Sequence, residues 1–242
     1  MKSAIGPAFI ILTFIFFWLL LRLLRPAMSK TGFRTTVIAV VGWAVFLAGW
    51  SLSGIAGRFD LFPLNMAPVL LIPFITIVVI TFLPGTLPVL SRIDPKHIAR
   101  LQVFRVFVEI LLWAMFVQNM LPVQMTFEGR NWDIISGLTA PFAAMFLARS
   151  RWALALWNVM CLGLLVNIVT VAILSMPVPF RAFMNEPSNT IVAMFPFILL
   201  PGMLVPLAYG LSFLSLRQIF SLNLGDEKTH TSPRNSGSLQ HN

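Results

Sequence analysis

Apolar blocks about as long as a bilayer is thick recur along this chain, separated by short polar or basic connections. No other feature constrains the fold as much. A helix rises about 1.5 Å per residue, so about 20 apolar residues carry it across the hydrocarbon layer. The blocks do not alternate apolar and polar residues, as the strands of a membrane barrel would. The expected fold class is all-α: a polytopic integral membrane protein with seven transmembrane helices. The expected spans are about 5–24, 36–53, 63–83, 101–121, 132–148, 152–174 and 190–216. They make up one transmembrane domain over 1–222. Residues 223–242, rich in Ser, Asn, His and Thr without apolar periodicity, are expected to form a disordered tail.

Charge orders these blocks. With the N-terminus outside, thirteen Lys and Arg residues fall on the inner side: Arg22, Arg25, Lys30, Arg34, Arg92, Lys96, Arg100, Arg105, Arg149, Arg151, Arg217, Lys228 and Arg234. Four fall outside: Lys2, Arg58, Arg130 and Arg181. Cytoplasmic loops gather positive charge, so the C-terminus is expected in the cytoplasm. The fifth block is short and interrupted by Gly137 and Pro141, yet removing it would place Arg149 and Arg151 on the wrong side. The first block is followed rather than preceded by arginines, which reads as a retained span and not as a cleaved signal.

The same distribution answers the net charge of +9. Basic residues sit between apolar blocks, as topology requires, so nucleic acid is not an expected partner. The lipid bilayer is. Protein partners are not specified, and a homo-oligomer is compatible with the sequence. His97, His230 and His241 all lie outside the blocks, and the one cysteine, Cys161, lies inside an apolar block as a buried thiol. A metal site and haem ligation are therefore not expected, and no cofactor is called for. There is no Gly-rich phosphate loop to couple the chain to ATP.

Polar residues inside the blocks are where chemistry can live. In the fourth block, Gln102, Arg105, Glu109 and Asn119 share an arc of about 100° on an ideal helix. Glu109 falls near mid-bilayer, where a carboxylate costs on the order of 2.5–3.5 kcal/mol, so it is expected to face the bundle and pair with Arg105. The stripe reads either as a proton, ion or solute site or as a pair that pins helix packing. The following outer loop concentrates Glu128, Arg130, Asn131 and Asp133. These could bind a polar head group, or form a salt-bridged loop in which Asp133 caps the fifth helix. Pro63, Pro68 and Pro73 in the third block repeat at the spacing of Pro196, Pro201 and Pro206 in the seventh. That spacing reads as a parallel repeat or as coincidence in a proline-rich chain.

The run MTFEGRNWDIISGLTAP, Met125 to Pro141, preceded by the helix bearing Glu109, resembles a family of uncharacterised bacterial multi-pass membrane proteins. The resemblance implies an inner (plasma) membrane location and brings no activity with it. On the residues, the first expectation is passage of a small polar solute or ion through a bundle containing Arg105 and Glu109. The alternatives are a membrane-embedded enzyme acting on a lipid or lipid-linked substrate at the outer surface, through Glu128, Arg130 and Asp133, and a non-catalytic assembly subunit. Whether the protein is an enzyme stays open.

Overall fold

A computed structural model of the chain describes residues 2–230, and among them every regular element is helical. In chain order these are α1 (Lys2–Leu24), α2 (Lys30–Leu52), α3 (Ala67–Phe82), α4 (Leu87–Leu90), α5 (Pro95–Leu101), α6 (Phe104–Val117), α7 (Ile134–Met145), α8 (Arg151–Leu174) and α9 (Val205–His230). Short 3₁₀ turns link several of them, and a π-helical turn, Leu200–Leu204, leads into α9.

Four helices are long and apolar enough to cross a membrane: Ala4–Leu24, Lys30–Leu52, Arg151–Leu174 and Leu200–Leu222. A fifth span results if α3 and the Pro84–Leu90 segment, bent by 74° relative to each other, count as one. The bend falls at the Pro84–Gly85 break. Its freed carbonyls are taken up within the protein: Thr86 Oγ1 donates to Ile80 O and Arg217 Nη2 to Leu83 O. That is the condition under which irregular backbone is tolerated at membrane depth. The outer surface of these helices is apolar, with Phe14, Ile38, Val41, Val45 and Val166 exposed, as lipid-facing helices require.

The remaining two expected spans are shorter than expected. The block 101–121 is not one continuous helix: α5 ends at Leu101, Gln102 and Val103 form a break, and α6 stops at Val117. The stop is a Schellman closure. Met120 N–H donates to Met115 O, Asn119 N–H donates to Phe116 O, and Asn119 adopts φ 54°. The block 132–148 supplies α7, twelve residues long. At the far end of the chain, α9 continues through His230 into the stretch expected to lack structure; 231–242 lie outside the described residues.

The last span is the most buried and forms the axis of the bundle, with α1, α2, α3, α5 and α8 packed around it. Leu47 and Trp43 of α2 pack against its π turn. A Cβ on Gly202 would sit 2.6 Å from Leu47 Cδ1, so glycine is what lets α2 lie this near. Trp43 Nε1 then donates to Gly202 O at 2.7 Å, and nearby Ser51 Oγ donates to Ala193 O at 2.7 Å. The two proline-spaced segments lie side by side: α3 packs against the π turn and α9.

Candidate functional site

The polar side chains of α6 converge with the loop that follows it. Two glycines make this possible. A Cβ on Gly137 would meet Val106 N and Cγ2 at 2.7 Å, so α7 crosses α6 in close contact there. A Cβ on Gly129 would run into Val123 O, so the loop folds flat over 123–124. The fold of that loop is closed by Gly129 N–H to Thr126 O at 2.9 Å and Asn131 N–H to Thr126 O at 3.1 Å. Gln124 Nε2 anchors it to Ser175 Oγ, at the end of α8, at 3.0 Å. Asn131 and Asp133 are thereby turned inward, while Glu128 and Arg130 stay outside.

Arg105 Nε lies 2.8 Å from Asp133 Oδ2, and the two side chains are 2% and 7% exposed. The Nε–H is out of line with the oxygen, so the contact is an ion pair rather than an aligned hydrogen bond. Arg105 Nη2 donates to Cys161 O at 3.3 Å, which ties the pair to α8. Ser136 Oγ donates to Asp133 Oδ1 at 3.3 Å. Glu109, 2% exposed, accepts from Asn131 Nδ2 at 2.6 Å. Asn131 Nδ2 also donates to Met125 O, and its Oδ1 accepts the Asp133 N–H at 3.1 Å. Its amide is thus used on both sides and fixed in one orientation.

The expected Arg105–Glu109 pair is therefore corrected. Arg105 pairs with Asp133, and the direct partner of Glu109 is Asn131. The reason is the close α6–α7 crossing at Gly137, which brings an acid from the next helix nearer than the one a turn away on the same helix. The expected cap at Asp133 is corrected too. It occupies the N-cap position of α7 but makes no side-chain bond to the helix backbone, its carboxylate facing Arg105 instead. Asn119 does not join the stripe; it is exposed and ends α6 in the left-handed conformation that Asn tolerates. Gln102 is buried, but its Nε2 donates to Ser212 Oγ at 3.0 Å on α9.

The loop trio does not gather. Glu128 is exposed and accepts from Trp113 Nε1 at 2.6 Å. The exposed Arg130 lies with its guanidinium over the Phe183 ring at 5.1 Å, while its carbonyl accepts from Asn167. Asp133 faces the other way, toward α6. Sequence reasoning missed Ser136 and read Gly137 only as an interruption of the fifth block, although a glycine inside an apolar block is a signal of close helix approach.

Arg105, Glu109 and Asp133 border a cavity of about 70 Å³ between α3, α6, α8 and the last span. Its other walls are largely apolar, among them Leu70, Val108, Leu112, Leu165, Ile168 and Leu204. By volume it has room for on the order of five water molecules. The arrangement can hold a small polar guest or a proton at one charged edge of an apolar space. Among the described residues no three His, Cys, Asp or Glu stand together as metal ligands do. Cys161 is buried and free, as expected.

The sequence model of a family described as Domain of unknown function (DUF8737) matches residues 61–220. That span includes α3 to α8, the loop with Asn131 and nearly all of the last span. Comparison with curated proteins and with solved structures finds no match.

Proposed function

The chain belongs to the DUF8737 family, a domain of unknown function, and we propose that it passes a small polar solute or ion across a membrane through its helix bundle. In this reading the chain has seven membrane passes, α6 and α7 serving as the two short ones. The N-terminus is outside, the C-terminus is cytoplasmic, and the membrane is the bacterial inner membrane. One observation carries the reading: Arg105, Asp133 and Glu109 are buried together at the edge of the inter-helical cavity. Ionisable groups at membrane depth are costly, and they mark ion and solute pathways more than any other feature of a span. One further feature supports it. The π turn at 200–204 interrupts the last span beside the same cavity, and interrupted helices are where transporters build solute sites.

Flux in proteoliposomes tests the proposal, with internal pH read by a trapped dye and alkali-metal entry by isotope. Wild-type protein is expected to raise the flux of at least one of these ions, and Glu109→Gln to abolish the increase. Glu128→Gln with Arg130→Gln, on the exposed loop, is expected to leave it intact. Flux that survives Glu109→Gln and falls with the loop variant would turn the assignment toward the outer surface.

A further inference from the structure

The cavity between α3, α6, α8 and the last span combines two things that few guests match: apolar walls and one charged edge. Val108, Leu165 and Leu204 are among the walls. Arg105, Glu109 and Asp133 are the charged groups at the edge among the described residues. We propose, on the reading of this cavity as the place of the solute, that the guest is a small aliphatic amine in its ammonium form. Its nitrogen meets Glu109, and its hydrocarbon part lies along the apolar walls.

The edge holds two acids and one cation. Arg105 is matched by Asp133 at 2.8 Å, and its Nη2 donates to Cys161 O. Asp133 is taken up by Arg105 and by Ser136 Oγ. Glu109 is left with an amide: its Oε2 accepts from Asn131 Nδ2 at 2.6 Å, and its Oε1 accepts no hydrogen bond among the described residues. An uncharged amide answers a buried carboxylate less well than a cationic donor does. A guest with one positive charge evens the count.

A second oxygen in the wall is also without a donor. Asn189 lines the cavity and is 0% exposed. Its Nδ2 donates to Ala172 O at 3.0 Å, while its Oδ1 accepts nothing among the described residues. Buried acceptors are seldom left unmade. Glu109 and Asn189 therefore both call for N–H groups, which an ammonium carries and a metal ion lacks. Hard metal cations also take a shell of about six oxygens, and walls of Leu, Ile and Val do not supply one. Arg105 Nη1 lacks an acceptor too, which the carboxylate of an amino acid would provide. A zwitterion, however, brings no net charge to offset Glu109 and sets polar atoms against apolar walls. Room for on the order of five water-sized groups suits a guest of about four heavy atoms, such as n-propylamine. A proton neutralises the same carboxylate, so amine and proton exclude each other at Glu109, with Arg105 and Asp133 the charged groups beside it. Amine exchange would then register as proton flux.

Equilibrium dialysis of the full-length protein in a neutral detergent, with isotope-labelled n-propylamine at neutral pH, tests this. Saturable binding to the wild type is expected. Unlabelled n-propylamine should displace the label, whereas n-propanol, alanine and potassium chloride at equal concentration should not. Glu109→Gln, which keeps the shape and removes the charge, is expected to weaken binding roughly tenfold or more. Leu165→Phe, which narrows the cavity and leaves its charges in place, is expected to weaken it as well, and Glu128→Gln on the exposed loop to change nothing. An unfolding curve of each variant shows that it is folded. No saturable binding, binding equal in the wild type and Glu109→Gln, or displacement by alanine or potassium as good as by the amine overturns the proposal. Ion flux that depends on Glu109 without amine binding removes the amine and leaves the passage reading standing. Amine binding that is lost in Glu109→Gln, with no flux in proteoliposomes, keeps the amine site and removes the passage.

Discussion

Arg58–Asp60 and Arg105–Asp133 are two ion pairs of nearly equal length, 2.7 and 2.8 Å, in opposite surroundings. The first lies in a connection at the bundle end with both side chains 60% exposed, where the Arg58 hydrogen bond holds the Asp60 carboxyl below its ordinary range. The second is 2% and 7% exposed, between α6 and the start of α7. Distance is the same, so the difference lies in what replaces each group's lost water. At the surface, water and salt take over at once when a partner is removed, and such pairs contribute little. In the interior nothing takes over, so the pair costs desolvation to form and strands a charge when broken. The proposed solute path would give a use to a buried pair kept at that cost with a cavity beside it.

Breaking each pair in turn is the sharpest way to separate the two environments. Asp133→Ala is expected to lower stability in detergent by about 3–5 kcal/mol, because Arg105 is left buried without its counter-charge. Arg105→Leu together with Asp133→Leu should recover much of that loss, as apolar side chains suit the surroundings. A double variant as unstable as Asp133→Ala would show that the pair is required for packing itself. Next comes Asn131→Ala, which takes the donor from both Glu109 and Met125 O. A cost of about 1–3 kcal/mol is expected for buried acceptors left unmade. Gly137→Ala forces a methyl against Val106 and should cost about 1–3 kcal/mol by overpacking. It should also push α7, and Asp133 with it, away from Arg105. Glu109→Gln keeps an oxygen for Asn131 to donate to and is expected to change stability by less than about 1 kcal/mol. The smallest effect belongs to the surface pair: Asp60→Ala should leave the melting curve unchanged. Thermal unfolding followed by tryptophan fluorescence reads all six variants, and an Asp60→Ala loss as large as that of Asp133→Ala would erase the contrast.

The helical, membrane-crossing character was legible in the sequence because it depends on block length and composition, and the burial of Glu109 and Arg105 because charge in an apolar block must turn inward. The partners were not legible. Helical periodicity relates residues within one helix, so it proposed Arg105–Glu109; the pairing across helices depends on how near α7 approaches, and Gly137 sets that. Periodicity also assumed an unbroken helix over 101–121. The stop at Asn119, with Pro122 just beyond, was readable as a C-terminal cap. The loop trio Glu128, Arg130 and Asp133 looked like one cluster because the residues are near in sequence. A loop folded flat at Gly129 sends neighbours to opposite sides, and of Glu128, Arg130, Asn131 and Asp133 only Asn131 and Asp133 reach the interior.

Solvent access to position 109 tests the central claim most directly. In a Cys161→Ala background, Glu109→Cys protein in sealed vesicles is exposed to a small, charged, membrane-impermeant thiol reagent from each side in turn. A polar step on a solute path must be reached by water, so modification is expected from at least one side, and Asp133→Cys should be modified from the same side. If position 109 stays unmodified from both sides in folded protein, yet reacts fully after denaturation, the buried charges are sealed packing elements and the passage of a solute past them is contradicted.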